Sequence, residues 1–216
     1  MKGLEGLVRE ALISRGLEDA LSSSPGLASF LEILLRANAG MNLVSRKEAI
    51  PDVLVARHLL DALEVLPLVP PSGARRLRVL DIGSGGGFPA IPLLLARRDL
   101  DGVLVESIGK KARFLEEVVG ALGLTARVVN ARFPGPALEL MRTAPPCNLL
   151  TSRAVAGAGE LVRAARPALA GGAVALLWTT EPLLEDVRRA LPGAVVVFRK
   201  SPGADRRGIA RVECFT

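Results

Sequence analysis

This chain contains a glycine-rich turn with two acidic residues near it, and the types and spacing of these residues could bind a ligand. Asp81 stands two residues before the turn, in the stretch VLDIGSGGGFPAIPL, and Glu106 follows Asp81 by 25 residues. Glycines can adopt positive φ and let a ligand approach the backbone closely, so we expect a ligand site at this turn. Its candidate contacts are Gly83, Gly85 and Gly87.

The charge of Asp81 indicates which ligand fits the turn. A carboxylate repels a pyrophosphate but attracts a cation, and the attraction grows as water is excluded. The dinucleotide fingerprint G-x-G-x-x-G/A would put Phe88 where helix and strand pack closely, and no Gly-Lys-Ser/Thr of a P-loop follows. S-adenosylmethionine carries a sulfonium and an α-ammonium, and Glu106 is placed to accept hydrogen bonds from its ribose. We therefore predict this cofactor, with a purely structural turn capped by Asp81 as the alternative.

The elements that precede this turn are predicted to be helices. Apolar residues recur at three-and-four spacing in residues 4–12, 27–35 and 53–63, which indicates three helices with one apolar face each. The proline-rich stretch 67–76 cannot continue a helix. We expect a small N-terminal helical subdomain and linker over residues 1–70.

From Leu77 onward the pattern predicts a sheet. Short β-branched runs alternate with stretches of helical periodicity, which indicates crossover units and a parallel sheet covered on both faces. The last strand, near 209–215, is expected to return antiparallel. We predict an α/β fold with a doubly wound, mostly parallel, Rossmann-like sheet, forming an S-adenosylmethionine-binding domain over residues 71–216.

Basic charge is concentrated in the later part of the chain. Residues 1–70 hold seven Lys and Arg against nine Asp and Glu, whereas residues 71–216 hold 21 against 13, a net charge of +8. Such a domain favours a polyanionic partner such as RNA, whose phosphates attract Lys and Arg and whose unstacked bases lie on aromatic or Arg planes. Trp178 could stack a base or belong to the core. The basic candidates near the ligand edge are Lys110, Lys111, Arg113, Arg132 and Arg153, with a solvated helix face as the alternative for the two lysines.

Several classes of protein are disfavoured by what the sequence lacks. One histidine and two distant cysteines, Cys147 and Cys214, offer neither metal-ligand spacing nor a disulfide framework. The apolar runs are far shorter than a membrane span, and the first twenty residues contain no apolar core of signal-peptide length. We expect a soluble cytoplasmic protein that uses no metal and contacts no membrane.

Five short motifs carry a resemblance to one family. They fall in order across residues 40–180: Asn42-Leu43-Val44-Ser45, Arg57-His58-Leu59-Leu60-Asp61, DIGSGGGFPAIPL, Glu106-Ser107 followed by GKKARFL, and Ser152-Arg153-Ala154. Together they resemble the bacterial small-subunit ribosomal RNA guanine-N7 methyltransferases, also called glucose-inhibited division protein B. The run GFPxIPL, with RHxxD upstream and SRA downstream, makes the resemblance specific, since the glycines alone indicate only a methyltransferase superfamily.

The resemblance implies a sheet of the class I methyltransferase type, a reaction and a set of contacts. It implies methyl transfer from S-adenosylmethionine to N7 of one guanine in the 16S rRNA of the small ribosomal subunit. It also implies cofactor contacts at Gly83 and Phe88, at Phe133 and Pro134 after the third strand, and at Arg153 after the fourth. We expect a monomer. Two other functions stay open: a methyltransferase acting on a small molecule or a protein, and an RNA-binding protein without catalysis.

The single histidine, His58, invites a catalytic role. N7 of guanine carries a free lone pair at neutral pH, so its methylation needs no general base and positioning supplies most of the effect. The positioning candidates are Arg153, Arg132 and His58. Arg57 and His58 share a helical turn with Asp61, so a structural His/Asp pair, an RNA contact by Arg57 and His58, and proton transfer by His58 are the alternatives.

Overall fold

The N-terminal part of the chain is helical, as predicted. The computed structural model describes residues 3–73, 75–142, 144–153, 157–202 and 206–213. Helix α1 spans Leu4–Ser14 and α2 spans Ser24–Asn38, with a 3-10 helix at Glu18–Ser23 between them. The apolar faces expected from the spacing are confirmed, because the following side chains are fully buried: Val8, Leu12, Leu27, Phe30, Leu31 and Leu34.

The third predicted helix contains a π-helical turn. Helix α3 (Pro51–Leu54), the π turn (Val55–Leu59) and α4 (Leu60–Leu63) follow one another without a break. Proline is tolerated in the first turn of a helix, where its missing N–H would have no partner anyway. The π turn carries Arg57 and His58, and single π turns inside α-helices are frequent at functional sites.

A seven-stranded sheet forms the centre of the molecule. Its strands are β1 (Leu77–Ile82), β2 (Leu100–Glu106), β3 (Ala126–Asn130), β4 (Cys147–Arg153), β5 (Leu169–Thr180), β6 (Val195–Lys200) and β7 (Arg207–Glu213). The spatial order is β3-β2-β1-β4-β5-β7-β6. Strands β1 to β5 pair in parallel, and β7 lies antiparallel between β5 and β6, which confirms the predicted antiparallel return. The order reverses between β1 and β4, where ligands bind in open α/β sheets.

Helices cover both faces of the sheet. They are α5 (Ala90–Ala96), α6 (Gly109–Ala121), α7 (Gly135–Arg142), α8 (Ala158–Ala165) and α9 (Leu184–Ala190), with 3-10 turns at Leu66–Leu68, Arg166–Ala168 and Glu181–Leu183. One hydrophobic cluster joins the N-terminal helices, α5 and α6 to one face, and a second joins α7, α8 and α9 to the other. Successive strand residues point to opposite faces, so Val79 belongs to the first cluster and Leu80 to the second. Asp81 therefore lies on the face that the N-terminal helices cover.

None of the helices in the described part of the chain combines the length and the apolar character that a membrane crossing requires. Cys147 is buried at the start of β4 with a free thiol. Cys214, and Ala154 of the SRA motif, lie outside the described residues.

Candidate functional site

Asp81 is a buried carboxylate with one oxygen left open. The residue is only 1% exposed. Thr151 Oγ1 donates a hydrogen bond of 2.6 Å to Asp81 Oδ1, whereas Oδ2 has no partner. The pKa of Asp81 is raised to about 6, mainly by burial; the hydroxyl groups of Thr151 and Ser84 oppose the rise, and the charge of Glu106 adds to it. The Ser84 hydroxyl itself donates to the Asp81 backbone oxygen at 3.1 Å, so Oδ2 stays open. A buried acceptor without a hydrogen-bond partner lowers the stability of the folded state. A ligand with a positive charge would pair with this oxygen and offset that loss.

The glycine turn after β1 has the geometry expected for close approach of a ligand. Gly83, Gly85 and Gly87 have φ of 79°, 52° and 90°, values that side-chain-bearing residues rarely adopt. A Cβ at Gly87 would lie 2.8 Å from Ile91 Cγ1. The three predicted glycines are thus required by the backbone of the turn; their contact with a cofactor stays a prediction.

Glu106 connects the end of β2 to the glycine turn. Its Oε2 accepts a hydrogen bond of 2.9 Å from the Gly85 N–H, and its Oε1 accepts one of 2.8 Å from the Ile108 N–H. Each carboxylate oxygen has a second lone pair, so Glu106 keeps acceptor capacity for two further donors. The sheet brings Glu106 close enough to Asp81 to raise the pKa of that residue. Both predicted acids therefore lie at the same edge.

Phe88 and His58 form a packed layer beneath the turn. Phe88 is 7% exposed, and its ring centroid lies 5.1 Å from that of Phe30 and 5.2 Å from that of His58. The pKa of His58 is lowered to about 4, mainly by burial and also by the charge of the nearby Arg153, while Glu48 opposes the shift. His58 is therefore neutral at pH 7 and a weak base.

Arg153 at the end of β4 contacts the helix that carries the π turn. Its Nη2 donates a hydrogen bond of 3.2 Å to the Arg57 carbonyl oxygen, and its Nη1 lies 3.4 Å from Asp61 Oδ2. Ser201 Oγ donates a hydrogen bond of 3.1 Å to Asp61 Oδ1. Trp178 Nε1 donates one of the same length, 3.1 Å, to the Asp61 backbone oxygen. The local His58/Asp61 pair suggested by the sequence is not formed between these described residues, because Asp61 faces the sheet and pairs with Arg153.

The other basic candidates lie at the same edge of the sheet. Helix α6 starts after β2 and exposes Lys110 and Arg113, with Lys111 half-buried, and Arg132 is exposed after β3. Asn130 Oδ1 lies 3.5 Å from a Cβ built on Gly109, so the start of α6 is next to the end of β3. Phe133 is half-buried against the second hydrophobic cluster, and Pro134 is exposed. The structure therefore places these residues near the ligand edge, and their contacts with RNA or cofactor stay predictions.

Comparison with known proteins now identifies the family. The family model described as rRNA small subunit methyltransferase G matches residues 24–190. The chain belongs to this family. The ribosomal RNA small subunit methyltransferase G of Acidiphilium cryptum (strain JF-5) is 42% identical over 204 residues, which cover 94% of this chain and 77% of that protein. The protein of the same name from Stenotrophomonas maltophilia (strain K279a) is 38% identical over 170 residues, covering 78% of this chain and 74% of the relative.

Solved structures support the fold of this methyltransferase G family member. The precorrin-6y C5,15-methyltransferase of Geobacter metallireducens GS-15 has a TM-score of 0.57 and 15% sequence identity, covering 80% of this chain and 92% of that one. At this identity the likeness concerns the fold alone. It confirms the predicted class I methyltransferase sheet.

Two residues that contact the predicted site residues were not identified from the sequence. Thr151 holds Asp81 from a strand 70 residues away, and Glu48 lies 3.7 Å from His58 Nε2. Thr151 had a weak signal, since it begins the polar ending Thr-Ser-Arg of an apolar strand, two residues before Arg153 and so on the same side of that strand. Glu48 stands in a polar turn with no periodic pattern, and nothing in the sequence singles it out.

Proposed function

We propose that this chain transfers a methyl group from S-adenosylmethionine to N7 of a guanine in the 16S rRNA of the small ribosomal subunit. As a member of the methyltransferase G family it is an S-adenosylmethionine-dependent rRNA methyltransferase. The observation that carries the proposal is the open, buried Oδ2 of Asp81 at the carboxyl end of β1. The nucleotide atom, the 16S target and the individual residue roles are the proposed part.

The residues of the glycine turn fit this cofactor. Asp81 would hold its cationic part, because a cation satisfies the open oxygen and offsets the burial of the carboxylate. Glu106 would accept hydrogen bonds from the ribose hydroxyls with its remaining lone pairs. When bound, S-adenosylmethionine supplies a methyl group on a positively charged sulfur. Backbone contacts at Gly83, Gly85 and Gly87 would complete the cradle. We assign further contacts to Phe88, Phe133, Pro134 and Arg153.

The chemistry of the site suits a nucleophile that needs no base. N7 of guanine already has a lone pair, so the protein has to orient the base and exclude water. His58 agrees with this, because its pKa of about 4 makes it a poor general base. Its side chain packs on Phe88 and supports the turn instead. We assign a positioning role to Arg153, His58 and Arg132.

The RNA surface is proposed at the carboxyl edge of the sheet. Exposed guanidinium and ammonium groups there would neutralise phosphates and fix the register of the RNA. The proposed RNA-binding residues with charged side chains are Arg57, Lys110, Lys111, Arg113 and Arg132, and the neutral His58 is proposed as a further RNA contact. We further propose that the protein acts as a monomer in the cytoplasm, where ribosomal subunits are assembled, and that residues 1–70 and 71–216 form a helical subdomain and a catalytic domain.

The test is transfer of labelled methyl from S-adenosylmethionine to 16S rRNA. The acceptors would be naked RNA and 30S subunits from a strain that lacks the modification, with the product nucleoside mapped by nuclease digestion and mass spectrometry. The proposal predicts label at one N7-methylguanosine. Label on a protein or small molecule alone, or RNA binding with no transfer, would replace it with one of the two other functions considered above.

A further inference from the structure

A turn at residues 45–49 places a carboxylate beside the site. Ser45 Oγ donates a hydrogen bond of 2.7 Å to Glu48 Oε2, and the backbone N–H groups of Glu48 and Ala49 both donate to the Ser45 carbonyl. The hydrogen bond from Ser45 lowers the pKa of Glu48, and the charges of Arg57 and Arg153 lower it further. Glu48 is therefore an anion at neutral pH.

This carboxylate lies next to the glycine turn, on the side of β4. A Cβ built on Gly86 would lie 3.1 Å from the Leu43 carbonyl oxygen, so the chain leading to Glu48 packs directly on the turn. Glu48 Oε2 is 3.7 Å from His58 Nε2, and the His58 ring contacts Phe88, which follows the turn. Glu48 therefore lies beside the glycine turn, next to the proposed cofactor site.

One buried polar group beside this carboxylate has no hydrogen-bond partner among the described residues. It is His58 Nε2, whereas Arg153 Nη1 is held in the 3.4 Å ion pair with Asp61 Oδ2. Buried polar groups in folded proteins almost always have partners, so His58 Nε2 points to a polar ligand. The Glu48 side chain is 31% exposed and offers such a ligand an anionic acceptor next to His58.

Guanine has the matching edge, and the proposed reaction needs it to be recognised. Adenine also has a lone pair on N7, so attack from N7 does not by itself select guanine. Guanine differs on the opposite edge, where N1–H and N2–H2 donate and O6 accepts, whereas adenine has an acceptor at N1. A carboxylate pairs with the first arrangement and is repelled by the second.

Charge development favours the same residue. The N7 lone pair forms the new bond to the methyl carbon while the carbon–sulfur bond breaks and its electron pair stays on sulfur. No proton is released in this step, and the positive charge passes from sulfur to the purine. An anion held beside the purine stabilises that charge, whereas a guanidinium would oppose it.

We propose that Glu48 selects guanine as the methyl acceptor, accepting hydrogen bonds from N1–H and N2–H2 of the target base and stabilising the charge that the purine gains. His58 Nε2, which has no hydrogen-bond partner in the described part of the chain and lies 3.7 Å from Glu48 Oε2, would donate to O6 as the N–H of a neutral imidazole. This inference rests on the proposed function and adds to it the residue that reads the base.

The test compares Glu48→Gln with the wild type on two RNAs, after the wild type has been used to map the target. One RNA carries guanine at that position and the other inosine, which lacks N2–H2. Asp52→Asn, an exposed carboxylate of α3, is the matched control. Glutamine can still accept the Ser45 hydrogen bond, so the turn should persist. Transfer kinetics, cofactor affinity, and affinity for both RNAs in the presence of S-adenosylhomocysteine are measured.

The inference predicts that Glu48→Gln lowers kcat/KM on the guanine RNA by roughly 10- to 100-fold, the range of one good bidentate base contact. It also predicts that the wild type prefers guanine to inosine in transfer and in binding, that the variant loses this preference, and that cofactor affinity is unchanged. An equal loss on both RNAs, or a variant that behaves like Asp52→Asn, would overturn the inference alone. A wild type that methylates no guanine would refute the proposed function, and the inference with it.

Discussion

Replacing Asp81 with asparagine should stabilise the cofactor-free protein and, at the same time, weaken cofactor binding. Asparagine has nearly the same shape, and its carbonyl oxygen can still accept the hydrogen bond from Thr151 Oγ1. The substitution removes a charge whose second oxygen has no partner in a residue that is 1% exposed. Both effects come from the charge of the Asp81 carboxylate. Its burial lowers the stability of the cofactor-free protein, and the positive charge of the bound cofactor offsets that loss.

The magnitude follows from the pKa of Asp81. Burial raises it from 3.8 to about 6, and a difference of about two units corresponds to about 3 kcal/mol. Because the folded state holds the proton more tightly, wild-type stability should fall as the pH rises from about 4 to about 6 and then level off. Asp81→Asn should therefore be about 3 kcal/mol more stable at pH 8, and only about 1 kcal/mol more stable at pH 4.5.

Denaturant unfolding at the two pH values and calorimetric titration with S-adenosylmethionine check this prediction. The variant forfeits the cation pairing, so its affinity at pH 8 should fall by about 100-fold. Asp101→Asn is the control: that carboxylate pairs with Arg76 at the opposite end of β2 and is 33% exposed, so its loss should change stability by at most ~1 kcal/mol and leave affinity unchanged. An Asp81→Asn protein that is less stable at pH 8, or that binds the cofactor normally, would refute the reasoning.

Two further substitutions test other parts of the site. Arg153→Ala should lower the rate of methyl transfer by more than about tenfold. Its stability should change by only about 1 kcal/mol, because Asp61 keeps its hydrogen bonds from Ser201 and Trp178. Transfer kinetics and thermal unfolding measure the two effects, and a variant that loses its fold along with its activity would contradict this prediction. Gly87→Ala should cost about 2 kcal/mol or more, since its φ is +90° and the new Cβ would lie 2.8 Å from Ile91 Cγ1. Gly123→Ala, with φ of +57° and open space around its Cβ, should cost less in the same urea titration, and equal costs would show that the contact with Ile91 is unimportant.

The local features of the fold were predictable because they depend on the spacing of apolar residues and on the positions of glycine and proline. The apolar spacing through Leu27, Phe30 and Leu34 defines one face of α2, and the strand-then-glycine pattern locates the turn after Asp81. The alternation after Leu77 yields a parallel sheet for the same reason, since strands buried on both faces read as continuous apolar runs.

The contacts that join distant parts of the chain were not predictable. Thr151 reaches Asp81 because β1 and β4 pair in one register, with Asp81 opposite Thr151, and no local pattern encodes that register. Asp61 could have paired with His58 in its own helix, but the sheet brings Arg153 to it instead.

The most direct test of the central claim, that the open oxygen of Asp81 is the cation site of the cofactor, is an NMR titration of the Asp81 carboxyl carbon with and without S-adenosylmethionine. Without the cofactor we expect a midpoint near pH 6, because burial raises the pKa. With saturating cofactor the midpoint should fall by about two units, since a bound cation favours the charged form. A midpoint that is the same in both states would contradict the assignment.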